Sequence, residues 1–216
     1  IIPNFNGMAY LDGVLAGLEC QSVNNFEVIL VDNGSSDGSC AFVAARYPWV
    51  HLIELPENFG FCKAVNEGIK ASRAPYVLLL NNDIEVTENF IEEMIFAIKR
   101  HPKAFSCAAR MIQFHDRDKL DDAGNYYCAL GWAYARGKGK DIHTYEKEEK
   151  IFASCAGAAI YRKKIFDKIG YFDEEHFAYL EDMDVGYRAR IHGYENWYAP
   201  DAMVYHVGSG TSGSRY

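Results

Sequence analysis

The acids, amides and imidazole of this chain that could do chemistry sit where apolar runs stop. "YVLLL" (76–80) is followed by Asn81, Asn82 and Asp83, "EVILV" (27–31) by Asp32, and "AMVY" (202–205) by His206. Another acidic group, Glu181-Asp182, follows the aromatic stretch "HFAYL" (176–180). A carboxylate delivered at the end of a buried strand is costly unless something positive meets it. Mg²⁺ and Mn²⁺ are hard ions that take carboxylates and share phosphate oxygens, so Asp83 is read as a candidate metal ligand. His206 is read as its partner, because neutral imidazole can join a carboxylate on such an ion. Glu181-Asp182, beside aromatic side chains, is expected to be partly desolvated, with the raised pKa that suits a general base.

Each of these residues also has a plainer use. Asn, Asp, Ser and Gly are favoured at turns and helix caps, and Ser36 and Asp37 in "VDNGSSDGS" are read that way. Asp32 is read as functional, since an acid directly after "EVILV" could accept hydrogen bonds from a base or ribose. For Asp83 the alternative is capping the helix that "TENF" starts, a role for which Thr87 is the better candidate. Asp184 is balanced between function and a favourable place near the positive end of a helix. Neither "PNFNG" nor "NGSSDG" has the G-x-G-x-x-G spacing of a Rossmann dinucleotide site.

The elements that must hold these residues show as an alternation. Apolar runs in "IIPNF", "FEVILVD", "VHLIEL" and "YVLLLN" are separated by helical patterns in "MAYLDGVLAGLECQ", a helix started near Ser36, "GFCKAVNEGIKAS" and "ENFIEEMIFAIKRH". That pattern predicts an α/β fold, a mostly parallel central sheet with helices on both faces. Ligands of such sheets bind beyond the carboxyl ends of the strands. After about residue 104 the regularity breaks. "AFSCAARMIQF" reads as a strand, "LDDAGNYYCALGWAYARGKGKD" as strand pairs with Gly turns, and "KGKDIHTYEKEEK" (138–150) as a mobile charged loop. "FASCAGAAIYR" is expected as a strand, "KKIFDKIG" and "YLEDMDVGYRARIHG" as helices, and "ENWYA" and "AMVYH" as two short strands. The Gly/Ser-rich tail after His206 is expected to fold over phosphates.

With 216 residues, 49% of them hydrophobic, the chain is expected to form one domain. Residues 1–104 would be its nucleotide-binding half and 105–216 its acceptor or catalytic half. A net charge of −8 argues against a broad basic surface for nucleic acid. The six cysteines form no CxxC pair and are expected to be free thiols of a reducing cytosol. No apolar run approaches the roughly 18 residues of a membrane span. Both ends read as cut from a longer protein.

In their order along the chain, "IIPNFNG", "VDNGSSDGS", "ENFGFCKAVNEGI", "YVLLLNNDIEV", "CAGAAIYRKKIFDKIGYFDE", "YLEDMDVGYRARIHGY" and "APDAMVYHVGSGTS" resemble the family 2 glycosyltransferases of the GT-A fold, particularly bacterial rhamnosyltransferase-like members. Residues 115–150 contribute least to the resemblance. It implies a nucleotide-diphospho-sugar transferase whose nucleotide pocket falls on Pro3, Asn4 and Phe5, with Asp32 at the base. It implies that Asn58, Gly60 and Asn66 line the donor crevice and that Gly157 lets the backbone approach the donor sugar. The family's Asp-x-Asp motif falls on Asn81-Asn82-Asp83, of which the last acid remains. Asp182 of the Glu181-Asp182 pair would be the base, and His206 would complete the shell of a divalent cation, Mg²⁺ or Mn²⁺. The implied partners are a UDP-, dTDP- or GDP-linked sugar and a glycan or lipid-linked glycan acceptor, in bacterial polysaccharide or cell-surface glycan synthesis. Transfer would invert the anomeric carbon, in the cytoplasm or at the inner face of the membrane. A sugar nucleotidyltransferase would open on a Gly-rich basic loop, which "PNFNGMAYLDG" lacks. An inactive nucleotide-sugar or glycan-binding module would not need an intact Glu-Asp pair and His206.

Overall fold

The computed structural model describes residues 1–208. Residues 209–216, which carry most of the Gly/Ser tail, lie outside the described residues. In chain order the elements are β1 (Ile2–Asn4), α1 (Met8–Glu19), β2 (Ile29–Asp32), α2 (Ser39–Arg46), β3 (His51–Glu54), α3 (Phe61–Ala71), β4 (Tyr76–Leu80), β5 (Ile84–Val86) and α4 (Phe90–Arg100). They continue with β6 (Ala104–Gln113), β7 (Leu120–Asp122), β8 (Asn125–Tyr127), β9 (Ala133–Ala135), β10 (Glu149–Ile151), β11 (Ala158–Arg162), α5 (Phe166–Ile169), α6 (Glu181–Ile191) and β12 (Glu195–His206).

β1, β2 and β3 pair in parallel in that order. A larger sheet runs β10-β12-β6-β11-β4, with β5 beside β12 and β7 beside β6. Two hydrogen bonds join the sheets, from the Ile1 amino group to the Leu78 carbonyl (2.8 Å) and from the Leu80 amide to the Ile1 carbonyl (3.0 Å). The α/β class and the alternation in the first half agree with the sequence reading. Strand directions are more mixed, because β11 returns antiparallel between β4 and β6, while β6 and β12 are parallel.

Helices cover both faces. α1 buries Leu11, Val14, Leu15 and Leu18 in a cluster shared with Phe90, Met94 and Ile98 of α4. On the other face Cys62, Val65 and Ile69 of α3 pack with Phe166 of α5 and with Val185 and Ala189 of α6. β6 is buried along nearly its whole length, the signature of a central strand covered on both sides. These layers fix the strand ends at which the polar residues emerge.

Three local expectations fail. "ENWYA" and "AMVYH" form one strand, β12, with an irregularity between Ala199 and Met203; Pro200 lies within it and has no amide to donate. The charged 138–150 segment is folded rather than free. It holds a 3₁₀ turn at Ile142–Thr144 and β10, and the Tyr198 hydroxyl donates to the Tyr145 carbonyl (3.2 Å). Thr87 does not cap α4; its hydroxyl donates to the Met203 carbonyl at 2.9 Å, and Asn89 precedes the helix. All six cysteines are free thiols, and no helix of the described residues is long and apolar enough to cross a membrane.

Candidate active site

The ends of β1, β2 and β4 are tied together by side chains. Asn4 Nδ2 donates to Asp32 Oδ2 at 2.8 Å, and Asn4 Oδ1 accepts from Asn82 Nδ2 at 2.7 Å. The other Asp32 oxygen accepts from the Ser35 amide at 2.8 Å. Asn4, Asp32 and Asn82 are almost fully buried, and an amide in the middle can donate to one neighbour and accept from the other. Pro3 and Phe5, on either side of Asn4, are half-buried. Asp32 thus organises the strand ends, and its carboxylate is already held by two donors. Ser36 and Asp37 behave as turn residues, with the Ser36 amide donating to Asn6 Oδ1 (2.9 Å) and Met8's amide to Asp37 Oδ2 (2.9 Å).

The "ENFG" segment attaches beside this network. Asn58 Oδ1 accepts from Asn33 Nδ2 and from the Gly60 amide, both at 2.9 Å. Gly60 has φ +86°, and a Cβ there would stand 2.5 Å from the Phe177 carbonyl oxygen. A side chain is therefore excluded twice, by conformation and by space. That contact brings the start of α3 against the loop before Glu181. Asn66 strengthens the same junction: its Nδ2 donates to the Phe172 carbonyl at 2.8 Å and its Oδ1 accepts from the Phe172 amide at 3.1 Å. Asn66 is buried with both polar ends engaged, so it anchors the 172–174 loop. Asn81 is half-buried; its amide donates to the Gly157 carbonyl at 2.8 Å, and a Cβ on Gly157 would approach Asn81 Nδ2 to 3.1 Å.

Asp83 and His206 do meet. β5 and β12 pair with Ile84 opposite His206, and His206 Nε2 lies 3.4 Å from Asp83 Oδ1. His206 Nδ1 is 2.7 Å from Oδ2 of Asp121, a residue the sequence reading passed over. Burial disfavours charge on the imidazole, but the hydrogen bond to Asp121 and the charge of Asp83 outweigh it and lift its pKa to about 9. A cation there would displace the Nε2 proton; the carboxylate oxygen and the imidazole nitrogen, 3.4 Å apart, would then suit neighbouring positions on a small octahedral cation. Among the described residues no group of three such side chains is gathered for a metal. Two protein donors leave further positions to phosphate and water, the usual manner of Mg²⁺.

The Glu181-Asp182 end is built differently. Tyr179 (φ +72°) and Leu180 (φ +67°) lead into α6, and with Asn6 (φ +49°) they are the non-glycine residues of positive φ among those described. Such conformations cost on the order of 1–3 kcal/mol each and gather at functional sites. Asp182 Oδ2 accepts from Asn125 Nδ2 at 2.9 Å. Burial pushes the Asp182 carboxyl up to about 6, against the pull of backbone donors at Met183 and Ala156 and of Asn125. Burial, reinforced by the Asp182 charge, lifts Glu181 to about 7. Glu181 Oε2 is buried and has no hydrogen-bond partner among the described residues. Asp184 is committed elsewhere, its carboxylate accepting from Arg188 Nη2 at 2.7 Å.

The two ends are linked by residues 121–125. Asp121 reaches His206 and Asn125 reaches Asp182, and four residues span at most about 14 Å. The strap is tightened by the Gly124 amide, which donates to Asp122 Oδ1 at 2.6 Å. Gly124 has φ +102°, and a Cβ there would lie 2.6 Å from Ile151 Cγ2. Asp121, Asn125, Asn33 and Phe177 touch the candidate residues and were not singled out from the sequence.

The fold, with Asp83–His206 and Glu181-Asp182 set near the ends of its strands, is that of the GT-A glycosyltransferases. The family model for glycosyl transferase family 2 matches residues 1–170, and the chain belongs to that family. It is 28% identical to an N-acetylglucosaminyl-diphospho-decaprenol L-rhamnosyltransferase of Mycobacterium tuberculosis, over 91% of this chain and 71% of that protein. It is 24% identical to the uncharacterized glycosyltransferase YwdF of Bacillus subtilis, over 91% of this chain and 64% of that protein. Among solved structures it superposes on GalNAc-T7 with UDP, GalNAc and Mn²⁺ (TM-score 0.77, 13% identity) over 95% of this chain and 42% of the other. It also superposes on S. aureus TarS 1-349 (TM-score 0.68, 21% identity), over 96% and 59% respectively. The chain therefore spans about half the length of these structural neighbours.

Proposed function

We propose that the protein transfers a sugar from a nucleoside-diphosphate donor to an acceptor hydroxyl by a single inverting, divalent-cation-dependent displacement, in the synthesis of a bacterial cell-surface glycan. The observation that carries this reading is the pairing of a desolvated acid, Asp182, with the Asp83–His206 pair at the other end of one strap. The donor base and phosphates would lie over the ends of β1, β2 and β4, bordered by Pro3, Asn4, Phe5, Asn58, Gly60, Asn81 and Gly157. Asp32, Asn66 and Asn82 would act by holding that border in place.

Asp83 and His206 would hold the cation. A divalent cation there supplies Lewis-acid neutralisation of the departing diphosphate. Asp182 would take the proton of the acceptor hydroxyl as the bond to the anomeric carbon forms. At neutral pH its carboxyl, with a pKa near 6, is mostly ionised and yet basic enough to act. With one base and no nucleophilic carboxylate assigned, displacement is direct and the anomeric configuration inverts. The exposed aromatics Tyr127, Trp132 and Tyr187 offer ring faces to acceptor sugars; Tyr127 and Asn125, two apart on β8, share a strand face. The mycobacterial relative is named for a lipid-linked acceptor, and a lipid-linked glycan is the acceptor class we favour.

The test is a thermal-shift screen of UDP-, dTDP- and GDP-linked sugars with and without Mn²⁺. One donor should stabilise the protein in a Mn²⁺-dependent way, and Asp83→Ala should remove that dependence. Stabilisation indifferent to Mn²⁺ would sink the role given to Asp83.

A further inference from the structure

Asp121 lies in a segment to which neither the motifs nor the proposed chemistry gives a role. Its position follows from the register of β7 on β6. Ile112 pairs with Leu120 and Met111 with Asp122, so Asp121 is the extra residue of a bulge. Bulges re-aim a side chain out of the ladder. On the other edge of β6 the last pair of β12 is His206 with Gln113. The Asp121–His206 bond thus spans the end of β6, joining its two neighbours. Both side chains are about 14% exposed, and Lys138 Nζ stands 3.5 Å from the other Asp121 oxygen with its own side chain largely in solvent.

We propose that Asp121 is a positioning residue for the cation site, holding the proton of the His206 ring on Nδ1 so that Nε2 faces Asp83. The inference rests on the functional reading above. An ionised carboxylate only accepts hydrogen bonds, so the hydrogen of the 2.7 Å contact belongs to Nδ1. For a neutral imidazole to offer Nε2 to a cation, the ring must be the Nδ1–H tautomer. Without Asp121 the ring is free to rotate about χ2 or to take the other tautomer, and Nε2 is no longer presented. Carboxylates behind ligating histidines commonly act this way, and their removal weakens metal binding by about 10–100-fold.

The experiment is Mn²⁺ titration of the protein alone, followed by loss of the free-ion EPR signal. Wild type, Asp83→Ala, Asp121→Asn, Asp121→Ala and Asp121→Leu are compared, with circular dichroism to check the fold. Asp121→Ala should weaken Mn²⁺ at least about tenfold. Asp121→Leu keeps the volume and loses the acceptor, and should do the same if Asp121→Ala does not fold. Asp121→Asn, whose carbonyl can still accept from Nδ1, should stay within about threefold of wild type. If Asp83→Ala abolishes binding while Asp121→Ala and Asp121→Leu bind as wild type, this inference fails and the functional reading stands. Equal weakening in Asp121→Asn and Asp121→Ala would overturn it too, since charge rather than ring orientation would then be at work. Mn²⁺ binding that is absent from wild type, or unaffected by Asp83→Ala, removes the cation assignment and the role of Asp121 with it.

Discussion

Asp32 and Glu181 are both buried acids of the candidate site, 1% and 8% exposed, and the molecule treats them in opposite ways. Asp32 has a donor on each oxygen, from Asn4 and Ser35. Glu181 accepts from backbone at its own residue and Tyr179, but among the described residues one of its oxygens has no partner; it has a carboxylate neighbour, Asp182, and two left-handed residues lead into it. Burial alone therefore does not mark a chemical role; what matters is whether the folded chain supplies donors. At Asp32 the donors cover both oxygens; at Glu181 they do not, and the cost of burial shows as a raised pKa beside Asp182, the proposed base.

That contrast is broken most sharply at Asp182. Asp182→Asn should cut the turnover of bound donor by about 10²–10⁴ and leave Mn²⁺-dependent donor affinity as in wild type, measured by single-turnover assay and calorimetry. At the scaffold end, Asn4→Ala leaves Asp32 and Asn82 each short of a buried partner. It should cost about 1–3 kcal/mol, lowering Tm by several degrees, and in the folded fraction raise the KM for donor, whose pocket Asn4 is proposed to border, more than it lowers kcat.

Glu181→Gln should move stability the other way. The folded-state pKa, about 7, lies above that of the unfolded chain. The unfolded chain then loses its proton first, so this residue lowers stability as pH rises from about 4.5 to about 7. The glutamine variant should be more stable than wild type at pH 8 and indistinguishable at pH 4, read by denaturation at both. The smallest effect is expected at Asn125, whose amide favours the ionised form of Asp182. Asn125→Ala should shift the acid limb of the rate profile upward by up to about one unit, with Glu181 and Asp122 the other titrating groups nearby.

The two ends were also unequally legible. Asp83, Asp32 and Glu181-Asp182 stand out because a polar residue directly after an apolar run breaks a pattern that any reader of periodicity follows. His206 was visible for the same reason. Asp121 and Asn125 have no such contrast around them. Their partners lie 85 and 57 residues away, and a bulge decides where Asp121 points. Charge made residues 138–150 look like free loop, although Ile142 and Tyr145 pack part of that segment against Tyr198 of β12 and its neighbours. For Asn66 and Asp32 the structure adds the hydrogen-bond partners, which spacing along the chain does not reveal.

The most direct test of the account is the pH dependence of donor hydrolysis at saturating Mn²⁺, in wild type and in Asp182→Asn. The nucleotide sugar used is the one that stabilises the protein in the thermal-shift screen. The account predicts that the wild-type rate falls about tenfold per pH unit below about pH 6, and that the variant is slow at every pH with no such limb. An Asp182→Asn enzyme that kept both the wild-type rate and the acid limb would contradict it.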